Sequence, residues 1–182
     1  MNAILGTSPC CVASYPGDMA VALLALNAGV RVVGPGGVRT LPIDDLHRVP
    51  GDTPERHTNL QRDELITDIL LPSMSFSRRS LFIKLRDRAS FEWAFASAAI
   101  AMDLNGDTVR QVHLAVGGLA TKPWRMTQVE KMMRGRKLNA MLAEQAGMTS
   151  LADTEPRLGL MYKLTVLRRL VQRIVLHAGD LA

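Results

Sequence analysis

The triplet Asn105-Gly106-Asp107 stands between two strand-like runs, residues 93–104 and 109–118, and it constrains this chain more than any other feature. Asn-Gly accepts the positive φ angles that a tight hairpin needs, so the two runs should pair antiparallel. A third strand-like run, 81–88, precedes them, and helical patterns follow at about 127–134, 138–147 and 156–178. Gly117-Gly118 and Lys122-Pro123-Trp124-Arg125 end the sheet, with Trp124 as a packing anchor for the sheet-to-helix connection. The fold class is therefore α+β, with three antiparallel strands in the second half packed by helices.

The first half reads differently. Residues 2–15 are apolar to small, with a turn at Ser8-Pro9, and an apolar strand there needs neighbours that the next residues scarcely offer. Pro16-Gly17-Asp18 opens a helix with Asp18 at the N-cap. Val30–Val33, the turn Gly34-Pro35-Gly36-Gly37, and Val38–Leu41 form a hairpin, followed by a short helical turn over Pro42–Leu46. Residues 47–62 are a polar surface loop, and Glu64–Leu71 is a strand stopped by Pro72. The stretch 73–80 is the best domain boundary.

Charge is uneven. Residues 1–120 carry eleven Lys/Arg against twelve Asp/Glu, whereas residues 121–182 carry eleven against five. The arginines 168, 169 and 173 fall on one helical face, which suits solvent or an acidic partner subunit; with aromatics at only 4%, base stacking is not the expected mode, and nucleic acid is not assigned. Cys10 and Cys11 are adjacent, about 3.8 Å apart at Cα, too close to bridge each other. No Cys/His spacing completes a zinc site, no apolar run reaches about 18 residues, and no export signal is visible. The histidines 47, 57, 113 and 177 belong to no motif, and no hydrolase triad, P-loop or carboxylate pair is present.

One charged stretch stands out: Lys84-Leu85-Arg86-Asp87-Arg88-Ala89-Ser90-Phe91. On a strand, period two would put Lys84, Arg86 and Arg88 on one face without matching acids. Such a face is either a solvated edge or one that meets an anion or an acidic partner.

These residues, with Tyr15-Pro16-Gly17-Asp18-Met19-Ala20-Val21-Ala22, Pro50-Gly51-Asp52-Thr53-Pro54-Glu55, Glu64-Leu65-Ile66, Gly117 through Arg125, Lys163 and Arg168-Arg169, make the chain resemble the FAD-binding medium subunit of the molybdenum hydroxylases, the xanthine dehydrogenase and aldehyde oxidoreductase family. The likeness runs in family order from about residue 6 to 178, weakest at 136–158. Where the family usually has His-Pro-Ser-Asp, this chain has Tyr15-Pro16-Gly17-Asp18.

The resemblance implies an N-terminally truncated copy: residues 1–75 as part of the second FAD-binding subdomain, and 78–182 as a C-terminal domain of the CO dehydrogenase flavoprotein type, expected to fold independently. It implies an oxidoreductase subunit that passes electrons from iron–sulfur clusters through FAD to an external acceptor. The partners implied are a molybdopterin-binding large subunit, a [2Fe–2S] small subunit and a separately encoded N-terminal FAD-binding half. The setting implied is cytoplasmic, or periplasmic if a partner carries the export signal. These 182 residues alone are expected to be inactive. The alternative is a remnant that binds partner subunits but no flavin.

By the same resemblance, Asp18 hydrogen-bonds FAD, Ile66 packs on the isoalloxazine ring and Lys84 places a cation near it. Cys11 matches the last thiolate of an additional [4Fe–4S] cluster. Four thiolates hold such a cluster, so Cys11 is an orphan ligand here and no metal site is assigned.

Overall fold

The computed structural model describes residues 2–73, 79–157 and 159–180. Its twelve elements are α1 (Met19–Ala25), β1 (Gly29–Gly34), β2 (Gly37–Pro42), α2 (Ile43–Leu46), β3 (Leu65–Leu70), β4 (Ser80–Leu85), β5 (Ala96–Asn105), β6 (Thr108–Gly117), β7 (Trp124–Arg125), α3 (Thr127–Met133), α4 (Ala140–Thr149) and α5 (Met161–Asp180). Of the expected boundary at 73–80, residues 74–78 lie outside the described residues.

The expected hairpin is the centre of the larger sheet. Asn105 pairs with Thr108 across Gly106-Asp107, and Gly106 takes φ 57°. The strand order is β4-β5-β6-β7, antiparallel throughout. The sheet thus has a fourth strand where three were expected, because Trp124 and Arg125 return to pair with Val116 and Ala115. Strand β5 carries small residues on both faces because both faces are covered. Ala98, Ile100 and Met102 face the core under α3, α4 and α5, while Ala99 and Ala115 face α1 and the first sheet. Helix α5 buries Leu167, Leu170, Val171, Ile174, Val175 and Ala178, the spacing of an amphipathic stripe, and leaves Arg169 and Arg173 outside.

The first sheet has the order β2-β1-β3. Its central strand alternates buried Val30 and Val32 with outward Arg31 and Val33. The apolar N-terminal stretch finds its neighbours far away in sequence. Ile4 N–H donates to Leu119 O at 2.8 Å, Thr121 N–H donates to Leu5 O at 3.2 Å, and Ile4 and Leu5 join the helix-side core.

The charged stretch departs from the expectation. Strand β4 ends at Leu85, so Arg86 and Arg88 lie beyond the ladder and do not share a strand face with Lys84. Arg88 forms an i,i+4 ion pair with Glu92.

Candidate functional site

Asp18 holds the N-cap position of α1, as expected, but its side chain caps nothing. The carboxylate instead accepts a hydrogen bond at 2.6 Å from Lys84 Nζ, and the two form an ion pair. The cation that lacked a partner in the sequence has one 66 residues upstream. The other carboxylate oxygen, Oδ1, is buried and no group among the described residues donates to it.

The ground beneath this pair is a cross-strand row. Lys84 faces Ser97, and Ser97 faces Gly117. Ser97 is 1% exposed, and its hydroxyl is a second buried polar atom without a partner among the described residues. Gly117 is bare for a reason: a Cβ there would lie 2.5 Å from Val21 and 2.7 Å from Ser97 Oγ. Gly118, at φ 73°, lets the chain pass 2.8 Å from Phe95 O by the same measure. The two glycines are therefore the seat on which segment 15–21 rests. Tyr15 N–H donates to Ala120 O, and Gly118 N–H donates to Tyr15 O, which fixes that segment just before Asp18.

Tyr15 and Gly17 also fit each other. A Cβ on Gly17 would fall 2.6 Å from the Tyr15 ring, which packs edge-on to His47 with centroids 4.8 Å apart. Burial pushes the His47 pKa down, with Lys122 adding to this and Asp44 opposing it.

The far end of α1 is held by groups that sequence reasoning missed. Arg125 Nη1 donates to Leu24 O at 3.1 Å and to Asn27 Oδ1 at 2.5 Å. Its guanidinium is paired with Glu130, whose side chain is 5% exposed and which also accepts from Leu114 N–H at 2.8 Å. His113 Nδ1 lies 3.1 Å from Ala25 O, and burial pushes its pKa down. The only sequence signal was a pair of opposite charges five residues apart at the sheet-to-helix connection. Lys163, in the sequence one of the family-like residues but without an assigned role, is 1% exposed, donates to Asn2 O at 2.5 Å and sits 5.4 Å over the Phe95 ring.

The structure brings Asp18 and Lys84 together but leaves Ile66 apart. Ile66 is on β3 of the other sheet, opposite Val32, and 40% exposed. Cys11 is half-buried in a loop, where its N–H meets Ser8 Oγ at 3.2 Å. Among the described residues no group of three His, Cys, Asp or Glu could hold a metal ion, and no helix is long and apolar enough to cross a membrane.

The signature of the CO dehydrogenase flavoprotein C-terminal domain matches residues 82–178, and that of the FAD-binding domain in molybdopterin dehydrogenase matches residues 8–74. The chain belongs to the FAD-binding subunits of the molybdenum hydroxylase family. It is 31% identical over 178 residues to the aldehyde oxidoreductase FAD-binding subunit PaoB of Escherichia coli K12, a match covering 97% of this chain and 52% of that protein. It is 30% identical over 174 residues to the nicotine 6-hydroxylase medium subunit of Paenarthrobacter nicotinovorans, covering 90% and 56%. The fold is shared with quinoline 2-oxidoreductase from Pseudomonas putida 86, at TM-score 0.79 and 18% identity over 92% of this chain and 57% of that one. The carbon monoxide dehydrogenase of Hydrogenophaga pseudoflava shares it too, at TM-score 0.77 and 24% identity over 91% and 56%. The chain thus spans about half the length of the molybdenum hydroxylase subunits it matches.

Proposed function

We propose that this chain supplies the Asp18–Lys84 half of an FAD site in a molybdenum hydroxylase, and so acts as its electron-transfer flavoprotein part. The observation that carries this reading is the buried Asp18 Oδ1, which no group among the described residues satisfies, beside a carboxylate oxygen already held by Lys84. An open buried acceptor costs about 1–3 kcal/mol. A hydroxyl donor of a bound cofactor would remove that cost, so the residues fit the group. Bound FAD would supply the redox chemistry between donor clusters and an external acceptor. Asp18 accepts a hydrogen bond, Lys84 holds Asp18 in place and contributes positive charge, and Ile66 offers an exposed aliphatic surface from β3.

The relatives' names support an aldehyde- or heterocycle-oxidising complex. We place a molybdopterin-binding large subunit and an iron–sulfur small subunit as its partners, in the cytoplasm. Co-purification of both with a tagged chain from the cytosolic fraction supports this; recovery without them, or from the periplasm, contradicts it. Residues 1–75 and 78–182 would correspond to the second FAD-binding subdomain and the C-terminal domain. Hydrogen exchange that divides the chain near residue 76 supports that split, and a single cooperative unit argues against it.

These 182 residues alone should bind FAD weakly, because they span only about half the length of the FAD-binding subunits they match. Isothermal titration tests this directly. With the preceding half of a relative supplied in trans, Asp18→Asn should weaken FAD binding by about tenfold, the loss of one hydrogen bond to a charged group. Sub-micromolar affinity in the chain alone, or an Asp18→Asn variant indistinguishable from wild type, overturns the assignment.

A further inference from the structure

We infer that Arg125, held by Glu130, is a positioning residue that sets the Asp18–Lys84 pair from the opposite edge of the sheet. This inference rests on the reading of Asp18 and Lys84 as flavin-facing groups only for its consequence, not for its geometry. Helix α1 has seven residues, too short to be stable alone, so tertiary contacts decide where it lies. It packs on β5, β6 and β7, and its N-cap residue Asp18 reaches Lys84 on β4. In the order β4-β5-β6-β7 these contacts run from one edge of the sheet to the other.

The two ends are pinned by different devices. At the β4 edge the pin is the Asp18–Lys84 ion pair. At the β7 edge Arg125 donates to Leu24 O, which also accepts from Asn27 N–H at 3.2 Å, and to Asn27 Oδ1, so that a cation meets the negative end of the helix. Asn27 itself takes φ 51°, the turn that leads out of the helix. Arg125 cannot wander, because its guanidinium is paired with Glu130 and Glu130 is locked to Leu114 N–H in the core. Between the pins, Val21 rests on bare Gly117 with no room for a methyl group, so the helix pivots there if one end is released. Loosening the Arg125 end therefore moves Asp18 relative to Lys84. Lysine cannot replace Arg125, since one ammonium cannot serve Glu130 bidentately while also reaching Leu24 O and Asn27.

The test is a double-mutant cycle on the 182-residue chain with Arg125→Met and Lys84→Met, read by urea unfolding. The two side chains lie at opposite edges of the sheet, and independent sites add. The inference expects the folding equilibrium constant of the double variant to exceed the product of the single effects by threefold or more, because the ion pair is already loosened in the Arg125 variant. Arg125→Lys should behave as Arg125→Met. Additive effects, or full rescue by lysine, overturn the inference. If Arg125→Met does not fold, Asn27→Gly replaces it in the cycle: glycine keeps the positive φ and deletes one Arg125 acceptor, and the same non-additivity is expected. A second arm measures FAD affinity with the preceding half supplied. Coupling in the first arm with unchanged FAD affinity for Lys84→Met leaves the positioning role standing and removes the flavin reading instead.

Discussion

Lys84→Met is the substitution on which sequence and structure disagree in sign. Read as one of three aligned cations on a strand face, Lys84 should be neutral or mildly destabilising, and its removal harmless. The structure makes it the partner of Asp18 at 2.6 Å, with side-chain exposures of 23% and 37%. A hydrogen bond to a charged group is worth about 1.5–3 kcal/mol when buried, and an exposed ion pair about 0–1 kcal/mol. The partial exposure of this pair places it between, at about 1–2 kcal/mol. Methionine retains the apolar stem, so lost packing adds little. The carboxylate left behind would have one oxygen already without a partner among the described residues and the other newly so. For a domain of this size about 2–4 °C accompanies each kcal/mol, so the melting temperature should fall by about 2–8 °C. Calorimetry or thermal circular dichroism reads this directly, with Arg86→Met as the control, since Arg86 lies beyond β4. A melting temperature within about 1 °C of wild type would refute the argument, as would an equal loss in Arg86→Met.

Two further predictions concern packing and pH. Gly147→Ala should cost about 1–3 kcal/mol in urea unfolding, because its Cβ would sit 2.6 Å from Arg168 O where α4 crosses α5, whereas Gly36→Ala, with open space around it, should not. On the acid side, Arg39 and the Gln61 N–H hold the Glu64 pKa down to about 2, so the stability it gives is present above its ordinary value and is lost as pH falls from about 4.5 towards 2. Glu64→Gln should flatten that limb and leave untouched the earlier loss below about pH 6.5 that follows from the burial-lowered His47 and His113.

What the sequence showed, it showed through local rules. The Asn105-Gly106 turn, the hairpin of β1 and β2, the α2 turn and the stripe of α5 follow from positive φ, alternation and 3.6-residue periodicity, which neighbouring residues carry. The site was legible only as a set of unconnected candidates. That Lys84 meets Asp18, or that Arg125 reaches Leu24 O across 101 residues, depends on how strands stack side by side, and no local period encodes it. The Gly117-Gly118 pair shows the limit well. It reads as a sheet breaker, yet Gly117 is the last residue of β6, and the missing side chains are what bring α1 down onto the sheet.

The resemblance sets His-Pro-Ser-Asp against Tyr15-Pro16-Gly17-Asp18 of this chain, a difference that at first weakens the case for a flavin contact. The structure makes the two replacements one event. The Tyr15 ring lies where a side chain on residue 17 would go, 2.6 Å from a Cβ built there, and Gly17 has no left-handed φ that would itself demand glycine. The three atoms nearest that Cβ all belong to the Tyr15 side chain. Gly17→Ser alone should therefore push Tyr15 off its edge-on contact with His47 and cost about 1–3 kcal/mol. Tyr15→His alone leaves a gap above Gly17 and should cost a similar amount through lost aromatic burial. Together they restore a small ring beside a small side chain, so the double variant should be at least about 1 kcal/mol more stable than the two losses summed. Urea unfolding of the four chains decides it. If the two losses simply add, Tyr15 and Gly17 are independent substitutions and the local backbone before Asp18 is not the family's own.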